Sequence, residues 1–209
     1  MYAAILFDMD GTLVESDEAV ARSWAAWARE YGVAGADLVR VAHGVPSDGT
    51  IRLLRPDLSG AALDAAAARQ LELQYDDLDD VDALPGAHAL LAALDAARVP
   101  WAVVTSADRR LAAARLGAAG IDAPVLVARD DVRHGKPDPE GYRAAAAALG
   151  VDPAACLVVE DAEAGLAAGR AAGAATAALR GLDGDLRPAG LPELTALLGL
   201  ADAVRPGGS

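Results

Sequence analysis

The stretch Ala3-Ala4-Ile5-Leu6-Phe7-Asp8-Met9-Asp10-Gly11-Thr12-Leu13 passes from an unbroken apolar run into two carboxylates and a glycine. Such a run predicts a buried strand, and its polar end places Asp8 and Asp10 where ligands collect in an open parallel α/β sheet, outside the carboxyl ends of the strands. Gly11 lets the chain turn sharply enough to direct both acids there. A strand ending in an ordinary Asp/Gly turn is the plain alternative. A calcium loop is not supported, because Thr12 stands where that pattern needs Asp or Asn.

Working outward, further β-like runs occur at 101–105, 125–128, 156–159 and, less clearly, 174–178. Each except the last precedes a helical pattern, the alternation expected of a doubly wound parallel sheet. The block between the first two runs reads differently. It shows helical stretches at 17–31, with Ser16 or Asp17 as the cap, and around 47–54 and 59–75, with no convincing strand. The expected organisation is an α/β core domain of residues 1–14 and 83–209 carrying an inserted helical cap domain, 15–82. Lids of this kind exclude water and carry specificity.

Composition narrows the partners. The 209-residue chain is 54% apolar and 23% charged, which suits a globular protein, and its net charge of −13 argues against a nucleic-acid partner. No segment approaches the roughly 18 apolar residues of a membrane span, and no basic leader followed by an apolar run is seen at the N-terminus. The cytoplasm is the expected location. The single cysteine, Cys156, lies in an apolar run and reads as a small buried hydrophobe. Oligomeric state is not legible.

Of the 18 Lys and Arg side chains, one is lysine, and it sits in Gly135-Lys136-Pro137-Asp138-Pro139. Glycine and two prolines predict a rigid loop ahead of a helix beginning near Glu140, an unusual place for a solvated charge. Thr105-Ser106 ends the second core strand and offers a hydroxyl and backbone N–H groups to a phosphate, or else caps the helix starting near Asp108. Glu160-Asp161 ends the fourth run. Adjacent acids there repel each other and Asp8 unless a cation joins them, and hard oxygen donors suit Mg²⁺ better than zinc. Gly165, Gly169 and Gly173, spaced by four, predict a helix packed closely on the sheet.

In this order and spacing, these four motifs resemble the haloacid dehalogenase superfamily, in its branch of sugar phosphatases and β-phosphoglucomutases with a helical cap inserted after the first motif. The resemblance covers about 3–178. It implies a Mg²⁺-dependent phosphomonoester hydrolase acting on a small phosphorylated sugar or sugar alcohol. Asp8 would be the nucleophile, forming an aspartyl-phosphate, and Asp10 the proton carrier. Thr105, Ser106 and Lys136 would bind the phosphoryl group. Asp8, Asp161 and the Asp10 carbonyl would hold Mg²⁺, with Glu160 near or bound through water. Three carboxylates against one ammonium leave a double negative charge that the divalent ion would cancel.

The resemblance also sorts neighbouring chemistries. Asp10 argues against a dehalogenase, and the lack of any lysine before Lys136 excludes a Schiff-base phosphonate hydrolase. The mutase carries a histidine ten positions after its second catalytic aspartate, where this chain has Val20, so hydrolysis is favoured. A mutase and a non-catalytic phosphometabolite-binding protein stand as the alternatives. In the cap, the segment 43–51 resembles the branch's specificity segment, with Val45 and Ser47 where a cation is common. His43, Arg52 and Arg40 are the candidate substrate contacts; His88 and His134 read as a packing or surface residue and a loop neighbour of Lys136.

Overall fold

The computed structural model describes residues 2–34, 47–75 and 77–201, and it divides into two compact units, Met1–Glu15 with Asp82–Ser209, and Ser16–Val81. The core unit is built on a five-stranded parallel sheet of β1 (Ala4–Phe7), β4 (Trp101–Val104), β5 (Leu126–Val127), β6 (Cys156–Glu160) and β7 (Ala175–Ala178), in the order β5-β4-β1-β6-β7. Every residue of β1, β4 and β6 is buried. That is why these strands read as continuous apolar runs without alternation. The register sets Phe7 beside Val103 on one side and Val159 on the other, so the carboxyl ends of three strands meet at one edge. The chain leaves β1 toward β4 and β5, then returns to β6, which makes the β1–β6 boundary the switch point where α/β sheets bind ligands.

The helices of this unit are α4 (Ala87–Ala96), α5 (Arg109–Ala118), α6 (Glu140–Leu149), α7 (Glu163–Ala172) and α8 (Leu191–Leu197). Tyr142, Ala145 and Ala146 of α6 pack with Leu6, Val104 and Val158 in one buried cluster. The small residues let α6 and α7 approach the sheet closely. Gly169 faces Val158, whose Cγ1 would lie 2.9 Å from a Cβ added there, whereas Gly173 ends α7 as its C-cap.

Two features depart from the sequence expectation. Val14–Glu15 (β2) and Asp82–Ala83 (β3) pair as an antiparallel ribbon where no strand was read from the sequence. Helix α8 also follows β7, the strand for which no helical pattern was read. Two-residue strands carry no period to detect, and α8 begins well beyond the end of β7.

The second unit holds α1 (Asp17–Tyr31), α2 (Ser47–Leu54) and α3 (Ala61–Tyr75). Ser16 is the N-cap of α1 by position, but its side chain makes no capping hydrogen bond. The unit has its own core of Trp24, Trp27, Ile51, Leu63 and Ala66. Trp27 is fully buried, stacks on Tyr31 at 4.6 Å and donates its indole N–H to the Ala66 carbonyl at 2.9 Å. A buried tryptophan with its polar tip satisfied is a strong local anchor. No helix among the described residues is long and apolar enough to cross a membrane.

Candidate active site

Where β1 ends, the backbone N–H of Asp8 still donates to Val159 O at 2.9 Å, which registers this carboxylate against the end of β6. The chain then folds over itself: the Leu13 and Val14 N–H groups both donate to Met9 O at 2.9 Å, and Gly11 N–H donates to Val14 O at 2.8 Å. Gly11 has φ +78°, and a Cβ there would run into the Asp161 carboxylate and lie 2.7 Å from Arg180 Nη2. Both the left-handed turn and the close approach therefore demand glycine.

One ammonium ties the strand ends together. Lys136 Nζ donates to Asp8 Oδ1 at 2.5 Å, to Glu160 Oε1 at 2.6 Å and to Val104 O at 2.9 Å, and only 11% of its side chain is exposed. These acceptors follow β1, close β6 and close β4. An ammonium has three donors splayed in three directions, whereas a guanidinium is a planar fork suited to one flat partner. That geometry accounts for a lysine in a chain that otherwise uses arginine.

Glu160, 1% exposed, is satisfied at both oxygens. Oε1 accepts from Lys136 and from the Tyr142 hydroxyl at 2.7 Å; Oε2 accepts from the N–H groups of Asp161 at 3.2 Å and Ala162 at 3.3 Å. A Cβ at residue 165 would overlap this carboxylate, so Gly165 is the space in which Glu160 lies.

Burial opposes the Lys136 charge, but Asp8 and Glu160 outweigh it and raise the ammonium above the ordinary lysine range. Burial pushes the Asp8 carboxyl well up; Lys136 opposes this, while Glu160 and Asp161 add to it. Burial and then the Glu160 and Asp8 charges hold the Tyr142 phenol well above its usual range. The site has more buried negative charge than one lysine neutralises.

Carboxylate oxygens of Asp8, Glu160 and Asp161 lie within 4.8 Å of one another. An all-oxygen set with surplus negative charge fits a hard divalent cation such as Mg²⁺. A second group, His134, Asp138 and Glu140, is largely exposed, and its Glu140 carboxylate accepts from the backbone N–H groups of Arg133 at 3.1 Å and His134 at 2.9 Å.

Thr105 is buried at the end of β4, and its Oγ1 accepts from Ala107 N–H at 3.0 Å. Asp108, not Thr105 or Ser106, caps α5, accepting from Leu111 N–H at 2.7 Å. The capping alternative for the Thr-Ser pair therefore falls, and Ser106 is exposed beyond the strand. Arg52 is exposed on α2, His88 is exposed on α4, and His134 pairs with Glu140 at 3.3 Å. His43 and Arg40 lie outside the described residues. Cys156 is buried in β6.

Three residues at this edge were not anticipated. Tyr142 supports Glu160, Arg115 Nη1 meets Asp10 Oδ1 at 2.8 Å, and Arg180 Nε meets Asp161 Oδ2 at 3.0 Å. Tyr142 had a signal available, as a large side chain in an Ala-rich helix just past the lysine loop. Arg115 shares the α5 stripe with Leu111, Ala112 and Leu116, a register in which a charge is out of place. Arg180 follows the end of β7 and carries no pattern to single it out.

A family model described as haloacid dehalogenase-like hydrolase matches residues 2–173. The chain is 43% identical to hexitol phosphatase A of Escherichia coli (strain K12), over 80% of this chain and 78% of that protein. It is 34% identical to 2-deoxyglucose-6-phosphate phosphatase 1 of Saccharomyces cerevisiae, over 82% and 77% respectively. In fold, it superposes on a β-phosphoglucomutase from Clostridium difficile with a TM-score of 0.82 at 18% identity, covering 97% of this chain and 98% of the other.

Proposed function

The chain belongs to the haloacid dehalogenase-like hydrolases and is a phosphatase of that family, and on this premise we propose that it hydrolyses the phosphomonoester of a small sugar or sugar alcohol through an aspartyl-phosphate on Asp8. The observation that carries the reading is the buried contact of Asp8, Lys136 and Glu160 beside Asp161 at the switch point of the sheet. Asp8 Oδ attacks phosphorus and the ester oxygen leaves, receiving a proton from Asp10. Water then attacks the aspartyl-phosphate, giving its proton to Asp10, and inorganic phosphate departs. Each half-reaction is easier than a direct displacement by water.

Lys136 keeps the Asp8 oxygen in place and supplies positive charge toward the phosphoryl oxygens, fixed before the reaction begins. Tyr142 and the Asp161 and Ala162 N–H groups hold Glu160, which anchors the lysine. Thr105 offers its hydroxyl and Ser106 its hydroxyl and N–H to the phosphoryl group, the Thr105 N–H being held by Val127 O at 3.0 Å. Asp8, Asp161 and the Asp10 carbonyl are the residues that would hold Mg²⁺, with Glu160 contributing charge nearby. When bound, that ion supplies neutralisation of the carboxylates and stabilisation of charge on the transferring group. Of the cap candidates, Arg52 and His43 are proposed contacts to the sugar. The net charge of −13 and the absence of a candidate membrane helix among the described residues suit a small-molecule partner in the cytoplasm.

The test is a phosphate-release screen over phosphomonoesters of hexitols, hexoses and glycerol with Mg²⁺, followed by acid quench and mass spectrometry. Turnover of at least one polyol or sugar phosphate, with phosphoryl mass on Asp8, is the expected result. No turnover across the panel, or label on another residue, would refute the proposal.

A further inference from the structure

Helix α5 buries Leu111, Ala112, Arg115 and Leu116, so a guanidinium occupies a place the helix pattern reserves for an apolar side chain. Arg115 is 2% exposed, while its helix neighbours Arg109 and Arg110 are exposed. Burying an arginine is unfavourable unless its charge is met. Arg115 Nη1 is met by Asp10 Oδ1 at 2.8 Å, across 105 residues of sequence. The Asp10 side chain is 27% exposed, against 3% for Arg115, so the cation is the buried partner and the acid the accessible one.

A guanidinium has N–H donors and no acceptor. The oxygen facing it must accept, and cannot be the one that holds a transferable proton. We propose that Arg115 is the positioning residue of Asp10: it holds the carboxyl group by Oδ1 and so assigns proton transfer to Oδ2. This rests on the phosphatase reading above, in which Asp10 serves both half-reactions. In the first, the O–H bond at Oδ2 breaks and the proton passes to the departing ester oxygen as its bond to phosphorus breaks. In the second, Oδ2 takes the proton of the attacking water. The Oδ1 contact is the same before and after each transfer, so one rotamer of Asp10 serves the whole cycle.

The experiment is a double-mutant cycle of the wild type, Arg115→Gln, Asp10→Asn and the double variant, at saturating Mg²⁺ and one fixed pH, with p-nitrophenyl phosphate and sorbitol 6-phosphate as probes. Arg115→Gln should lower kcat on the alkyl ester by about 100-fold, the order expected when a reacting group is misplaced. Its KM should change by less than about threefold, and the loss on the aryl ester, whose phenolate leaves with little help, should be smaller. Arg115→Lys, which keeps a cation and donors, should recover most of the loss. In the Asp10→Asn background, Arg115→Gln should cost less than about twofold on p-nitrophenyl phosphate, because its effect passes through a group already removed. Full multiplication of the two defects, or equal losses on both esters in the first-turnover release of alcohol or phenol that reports the first half-reaction alone, would assign Arg115 to scaffold alone and overturn the inference. Should Arg115→Gln fail to fold by circular dichroism, the same cycle with Arg115→Lys decides, its smaller defect vanishing or persisting beside Asp10→Asn. Native turnover in Asp10→Asn itself would instead refute the role of Asp10, which separates that failure from this one.

Discussion

Two charge clusters in this molecule are built at nearly the same distances in different surroundings. In the helical unit, Arg22 grips Asp77 at 2.6 and 2.9 Å and Asp80 twice at 2.6 Å, with 45% of its side chain exposed. In the core unit, Lys136 meets Asp8 at 2.5 Å and Glu160 at 2.6 Å with 11% exposed. Water screens the first cluster and leaves it with little net worth, whereas the second interacts through a less polarisable interior, where burial pushes the Asp8 carboxyl up and the Asp8 and Glu160 charges raise the Lys136 ammonium. Contact length alone does not distinguish a surface clasp from a reactive centre; solvent access does.

The contrast can be broken most severely at Asp8. Asp8→Asn should lower turnover by on the order of 10⁴-fold or more, since an amide is no nucleophile, with the loss read by phosphate release. A variant within tenfold of wild type would remove the core cluster's claim to chemistry. Chelation should be comparably severe: excess EDTA should abolish phosphate release and added Mg²⁺ restore it, because the surplus of buried carboxylate needs a divalent partner. Full turnover in EDTA would refute the metal assignment of Asp8 and Asp161.

Lys136→Met sharpens the comparison by removing one cation from a buried cluster. Leaving Asp8 and Glu160 unmatched should cost about 3–5 kcal/mol in urea denaturation, alongside a large fall in kcat. The sign of the pH dependence follows from the raised folded-state affinity of the lysine. Its contribution is complete below the ordinary lysine range and declines as pH rises from there through the higher folded-state value, so wild-type stability should begin to fall where a free lysine begins to lose its proton.

Arg180→Ala should have a smaller effect. Its guanidinium sits on Asp161 Oδ2, an oxygen the metal would use, so its removal should tighten Mg²⁺ binding by a few-fold in calorimetry; weaker binding would show that Arg180 supports the ligand set. At the bottom of the scale, Arg22→Ala should alter neither turnover nor stability measurably. The Arg22 hydrogen bond lowers the Asp80 pKa, so whatever that pair contributes is present above the ordinary carboxylate range and fades as pH falls through the lowered value. A clear loss of stability at pH 7 in Arg22→Ala would erase the distinction drawn between the two clusters.

Much of the fold was legible because the dominant signals are local. The apolar runs through Phe7, Val104 and Val159 announce strands buried on both faces, and the stretches at 17–31 and 47–54 carry their helical pattern in the residues themselves. The carboxylates at the ends of two such strands, with one lysine in a Gly/Pro loop, are also readable, since a parallel sheet must bring strand ends to a common edge. The β2–β3 ribbon was not, because each strand is two residues long and the pairing joins segments far apart.

By itself, then, the sequence determined the parallel sheet and marked Asp8, Asp10, Lys136, Glu160 and Asp161 as the candidate set, through hydrophobic run length and through residue type at strand ends. Only the tertiary structure decided that Lys136 shares one ammonium among three strands, that Tyr142 and Gly165 make room and a donor for Glu160, and that Arg115 and Arg180 complete the electrostatics of Asp10 and Asp161. The physical reason is range. Strand and helix patterns are set by neighbours along the chain, but the state of a buried charge depends on what water is excluded and which opposite charge arrives from elsewhere in the fold.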